Sequence, residues 1–238
     1  MSLKKHVPAL AVLLFVGTYG VFGVVATQLR LTHHGKPNHL GFWAAVVIGV
    51  LMLALMLAIG WAAKGRVDGV IIDGKNRVTL ANFQLVLWTL VVLASYAGAV
   101  FTNLMSGKGG LNALKVTVPP ELWLAMGIAG TSLIGSKAIK ATMQNKLRSA
   151  KSTPAGASWA DMFTSDVERA NGSVDLSKLQ MFFFTVVLVF AYAAAVANDL
   201  LNAKGPIKGL PPIDKGFVTL LAISHGGYLT RKAAHKVG

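Results

Sequence analysis

Apolar residues in this chain arrive in long uncharged runs, not at the two-residue period of a half-buried strand. Val7 to Leu29, Pro37 to Ala63 and Val78 to Gly107 each exceed the roughly 20 residues needed to cross a hydrocarbon layer of about 30 Å. Leu179 to Asn198 meets that length closely. Two shorter runs, Leu122 to Ser136 and Gly216 to Thr230, hold 15 residues each. As helices these would rise about 22 Å, so their charged flanks must snorkel or the helices must lie within protein. The pattern predicts an all-α polytopic membrane protein of six helices arranged as three hairpins; four full spans with two partial ones is the competing reading. The boundaries fall at 1–63 for the first hairpin, 64–82 for a cytoplasmic connector, 83–140 for the second hairpin, 141–175 for a cytoplasmic loop and 176–238 for the third hairpin. The first run follows Lys4 and Lys5 but is longer than the apolar region of a signal peptide, and reads as a retained helix.

The second and third hairpins read as a parallel internal repeat. Residues 80–104 align without gaps to 176–200, and nine of the 25 pairs are identical. They include the polar pairs Gln84/Gln180, Thr89/Thr185 and Tyr96/Tyr192, which apolar bias does not explain. Pro119-Pro120 corresponds to Pro211-Pro212, and the short glycine-rich segments end in Lys137 and Lys232. Each unit contains two crossings, so both copies keep one orientation, related by an axis along the membrane normal.

The segments IIDGKNRVTLANFQLVLWT at 71–89, ASWADMF at 157–163, VDLSKLQMFFFT at 174–185 and LAISHGGYLTRKA at 221–233 resemble those of a group of uncharacterised bacterial integral membrane proteins. The resemblance covers about residues 65–235. It implies a bacterial inner-membrane location and brings no activity with it.

Spacing singles out two polar columns. Thr89, Tyr96 and Asn103 are seven residues apart, as are Thr185, Tyr192 and Asp199. Each trio falls within about 40° of arc on a helix. Lipid cannot satisfy these groups, so the columns should face protein or water. Interhelical hydrogen bonding accounts for them; a polar pathway lined by both copies is the sharper reading. The short segments add Thr131 and Ser132 in one copy and Ser224, His225 and Tyr228 in the other. Short glycine-interrupted helices at matching places in two repeats point to a transport site, and a histidine within a span is a functional candidate. A neutral His225 hydrogen-bonded to a tyrosine or serine is the structural alternative.

The connector 70–80 carries a hairpin signal in which Asp73-Gly74 is expected to supply the positive φ angles of a tight turn. Thr79 or Asn82 can cap the helix after it, and Asp175 or Ser177 the equivalent helix, where Ser177-x-x-Gln180 fits a capping box. In the 141–175 loop, Trp159, Met162 and Phe163 share one side of a short predicted helix. That side rests on the membrane interface or the hairpin turn, or else docks a partner.

Composition fits this picture. Hydrophobic residues make up 54% of the chain and charged ones 13%, against about 25% in soluble domains. The net charge of +14 would suit nucleic acid, but its distribution argues against that. With the N-terminus inside, 16 Lys and Arg lie in cytoplasmic segments and 7 in outer ones. The basic residues therefore orient the protein, with both termini cytoplasmic, and meet anionic lipid headgroups. No cysteine is present, which excludes disulfides and thiolate metal sites. His33, His34 and His39 lack a nearby carboxylate and read as a solvated loop. No metalloprotease, nucleophile-elbow, phosphate-loop or potassium-filter motif occurs. No enzyme activity, cofactor or metal is expected. Two functions compete: an oligomeric channel or small-solute permeation protein lined by the polar columns, and a non-catalytic anchor or scaffold subunit of a membrane complex, recruiting a partner through 141–175.

The charge bias makes a direct prediction. In intact cells a Gly205→Cys variant should react with a membrane-impermeant maleimide, whereas Gly74→Cys should react only after permeabilisation. The reverse labelling pattern would invert the topology.

Overall fold

The computed structural model describes residues 39–127, 153–165 and 173–234. Five α-helices carry the described residues, which contain three isolated β-bridges and no strand. They are α1 (Leu40–Lys64), α2 (Leu80–Met105), α3 (described over 120–127), α4 (Leu176–Leu201) and α5 (Lys215–Ala234). α1, α2 and α4 are long and apolar enough to cross a membrane. The six-helix expectation is therefore met only in its coarser part, because the first apolar run and most of the segment after Gly127 lie outside the described residues.

Three closely packed helices make the centre. α1 meets α2 where Gly41 and Gly98 face each other: a Cβ on Gly98 would stand 2.7 Å from the Ala45 Cβ and 2.8 Å from the Gly41 carbonyl oxygen. Small residues let two backbones approach within lipid, where dispersion contacts replace the hydrophobic drive. α4 packs on α2, and the core there joins Trp88, Val92 and Ala99 of α2 to Val189, Tyr192 and Val196 of α4. Leu122 and Ala125 of α3 and Val218 and Leu221 of α5 complete it.

Local chemistry sets the helix starts. The Thr79 hydroxyl accepts from the Asn82 amide, and the Asp175 carboxylate accepts from the Ser177 amide. Ser177 thus lies inside α4, and the capping box expected there forms elsewhere. Ser158 and Asp161 close one at the short 3-10 turn Trp159–Met162. The connector turn also differs from expectation. Ile72 bridges Val78, but the positive φ of 52° belongs to Asn76, not Gly74. The Asp73 carboxylate explains this by accepting from the amides of Lys75 and Arg77, an Asx arrangement that leaves the left-handed residue later in the turn.

One end of the bundle carries a folded cap. Residues 153–165 return over the connector, and Met162 is buried against Ile71, Val78, Leu80 and Met181. Arg66 clamps the cap by donating to the carbonyls of Ala155 and Ala157, while pairing with Asp68 at 2.7 Å. The pair holds the Asp68 carboxyl below its ordinary value, chiefly through the Arg66 hydrogen bond. Its contribution is therefore complete above the ordinary carboxylate range and is lost as pH falls through the lowered value. The Lys178 ammonium donates to the Thr164 carbonyl at 2.8 Å, fastening the far edge of the cap to α4.

Met162 should be the cap's main anchor. Met162→Ala is expected to cost about 2–5 kcal/mol locally. Hydrogen exchange should then accelerate across 153–165 while α1, α2 and α4 keep their protection. Unchanged exchange in the cap would show that Met162 does not hold it.

Candidate functional site

Gln84 opens the second turn of α2 and is fully buried. Its amide nitrogen lies 2.7 Å from the Thr185 hydroxyl of α4 and 3.4 Å from the Met181 carbonyl. Its amide oxygen lies 3.3 Å from Nε2 of His225 on α5. The other ring nitrogen, Nδ1, is 2.9 Å from the Leu221 carbonyl, one turn back along α5. One side chain thus joins three helices, and Ser224 is buried beside the histidine.

This network has two chemically distinct settings. With the amide oxygen toward the ring, both imidazole nitrogens face carbonyl oxygens and both must carry hydrogen. Rotating the amide by half a turn suits a neutral ring: Nδ1–H donates to Leu221, the Gln84 NH2 donates to Nε2, and the Thr185 hydroxyl donates to the amide oxygen. Amide orientation is assigned from partners, since oxygen and nitrogen are nearly isosteric. Gln84 can follow a proton on His225 without moving a helix only by giving up its Met181 contact, since the half-turn sets the amide oxygen against that carbonyl.

The opposite end of α2 carries a second buried amide. Asn103 donates to the carbonyls of Ala113 and Ile207 and accepts from the Ile207 amide at 2.6 Å. It fastens both interhelical loops to α2. Beside it Thr117 pairs in parallel with Gly209: the Thr117 amide donates to Lys208, and Leu210 donates back to Thr117.

The expected columns do not share one face. Gln84 and Thr89 lie about 140° apart around α2, so the α2 face that meets Thr185 is not the one that carries Thr89. Thr89 and Tyr96 line a groove of about 710 Å³ between α1 and α2, walled by apolar residues such as Met52, Leu93 and Val100. The Tyr96 hydroxyl donates to the Leu114 carbonyl. Thr185 and Tyr192 are buried, Asn103 serves the loops, and Asp199 is exposed. Trp88 and Tyr192 approach with ring centroids 6.5 Å apart, and the indole N–H and phenol oxygen are buried without a hydrogen-bond partner among the described residues. Thr131 and Ser132 lie outside the described residues, as does the Tyr228 side chain.

In the cap, Met162 points inward, Phe163 is half-buried against Phe182, and Trp159 is 49% exposed with its ring edge-on to Phe83. Among the described residues no group of three His, Asp or Glu gathers to hold a metal. No family model, curated protein or solved structure matches the chain. Its site is therefore read from geometry alone.

Sequence spacing missed Gln84. Its pairing with Gln180 across 96 residues was the available signal, but Gln180 also reads as the far end of a capping box with Ser177. Lys178 was missed for a related reason, since a lysine near a helix start reads as a solvated flank.

Gln84 and Thr185 should be energetically coupled. A double-mutant cycle with Gln84→Leu and Thr185→Val, followed by unfolding in detergent, is expected to show about 0.6–1.7 kcal/mol of interaction. Strict additivity would mean that the hydrogen bond contributes nothing.

Proposed function

We propose that the chain is a bacterial inner-membrane scaffold subunit with cytoplasmic termini, built of three hairpins of which the last two are like-oriented duplicates. The duplication is supported by α2 and α4, each 26 residues long, which begin 96 residues apart and end 96 residues apart. It is supported again by the parallel pairing of Thr117 with Gly209, the same 92-residue interval that separates Pro119 from Pro211. The basic residues of its cytoplasmic face meet anionic lipid headgroups.

One observation carries the scaffold reading. The buried polar side chains Gln84, Asn103, Thr185 and Lys178 are spent on joining helices, loops and cap, while the accessible groove is apolar. Such a bundle is a rigid platform. Its capped end exposes Trp159, Val67 and Leu176, apolar side chains suited to a partner or to the headgroup boundary.

Permeation is the second reading, favoured by the proton-following geometry at His225 and by the unpartnered polar atoms of Trp88 and Tyr192. Purified protein in liposomes distinguishes the two. The scaffold reading expects no flux of ions or small solutes above empty vesicles at any pH from about 5 to 8. Flux that His225→Ala abolishes would overturn it in favour of a permeation pathway.

A further inference from the structure

α2 and α4 pack front to back, so each leaves one face unused. We infer that these two faces meet between copies: the α4 face carrying Gln180, Phe184, Ala191 and Ala195 seats in the α2 groove of a second chain, with Gln180 hydrogen-bonded to Thr89. The inference rests on the duplicated reading of α2 and α4 and goes beyond the scaffold role.

The pattern of burial carries it. Within one chain α2 contributes Gln84, Trp88, Ser95 and Ala99, all buried. Their counterparts 96 residues on, Gln180, Phe184, Ala191 and Ala195, are exposed. In exchange α4 contributes Thr185, Val189, Tyr192 and Val196, all buried. Their α2 counterparts Thr89, Leu93, Tyr96 and Val100 line the open groove. Eight side chains of the existing seam are thus matched by identical or similar ones on the unused faces, while Val92 and its counterpart Leu188 are both buried within the chain. Gln180 can reach Thr89 as Gln84 reaches Thr185, and Phe184 can stand on Tyr96 as Trp88 stands on Tyr192.

The remaining surfaces agree. α1 meets α2 most closely at Gly98, about half a turn round the helix from Thr89, and its Met52, Met56 and Ile59 form the far wall of the groove. Ala191 and Ala195 are spaced for close helix approach. A glutamine on a spanning helix gains from a partner hydroxyl that lipid cannot supply. The contact is heterologous, so it joins further copies head to tail and forms a ring where its rotation closes. A second chain continues an interface that already exists, which neither an acyl chain nor the chain's own 7–29 run would do.

The absence of cysteine makes the test clean. Chains bearing Thr89→Cys and one tag are co-expressed with chains bearing Gln180→Cys and another, then oxidised in native membranes. A cross-linked species carrying both tags is expected, well above the yield of Thr89→Cys with Trp43→Cys, which lies on the exposed side of α1. Equal yields overturn the inference. A Thr89→Cys/Val16→Cys chain that cross-links internally also overturns it, because the amino-terminal run then fills the groove. Unaltered protein in nanodiscs should have the mass of two or more chains. A single-chain mass overturns the proposal, and so do oligomers lacking the Thr89–Gln180 cross-link. Liposome flux is independent of these results, so the scaffold reading can fail while the interface stands.

Discussion

A polar group in hydrocarbon must find its partner inside the protein, and here two buried amides meet that demand on one helix. Gln84 and Asn103 stand 19 residues apart on α2, about 28 Å along its axis. The first joins α2 to α4 and α5; the second joins it to the loops that follow α2 and α4. With both ends fastened, α2 cannot slide or turn against its neighbours without leaving a buried donor or acceptor unpaired, at about 1–3 kcal/mol each. The remaining contacts build on that fixed axis. α1 docks through Gly41 and Gly98, where close approach tolerates no side chain, and the core of Trp88 and Tyr192 fills the seam between the fastened ends.

The capped end follows another logic, since its polar groups can reach water. There the cap is held by apolar burial and backbone carbonyls. Met162 and Ala157 supply the buried surface, and Arg66 and Lys178 reach backbone carbonyls of a segment whose own regular structure is limited to short 3-10 turns and one bridge. An arginine suits the first position because its planar fork bonds Asp68 and the cap together. The two ends of α2 therefore differ in kind: a core-like cap on one side, and on the other a loop pair tied to α2 through the buried Asn103 and to itself through Thr117 and Gly209.

Much of this was legible in residue patterns. Long uncharged runs announced α1, α2 and α4, because a span needs little beyond length and apolarity. Thr79 and Asp175 were readable as caps because capping is local. The partners of Gln84 were not, since they lie 101 and 141 residues away and no periodicity in α2 encodes them. Seven-residue spacing sets Thr89, Tyr96 and Asn103 along one stripe of a helix, but spacing within a helix does not say which neighbour covers it. Asn103 at one end of that stripe is buried under loops, while Thr89 at the other meets a groove. The Asn76 turn was missed because Asp-Gly is a strong local signal, and the competing Asx geometry depends on which amides Asp73 accepts.

The use of glutamine at position 84 has a physical reason. A carboxylate there would add a charge to a dry seam, and a shorter asparagine side chain would lose one methylene of reach between Thr185 and His225. The primary amide is also the one neutral side-chain group that offers a donor and an acceptor of nearly equal size on one rotating plane. A half-turn therefore exchanges the donor and acceptor offered to His225, at the cost of the Met181 contact. A serine or threonine hydroxyl at 84 could also donate and accept, but its shorter side chain has less reach between Thr185 and His225. A side chain that accepts or donates as required can also stand in unlike surroundings, buried at Gln84 and exposed at Gln180 within one chain.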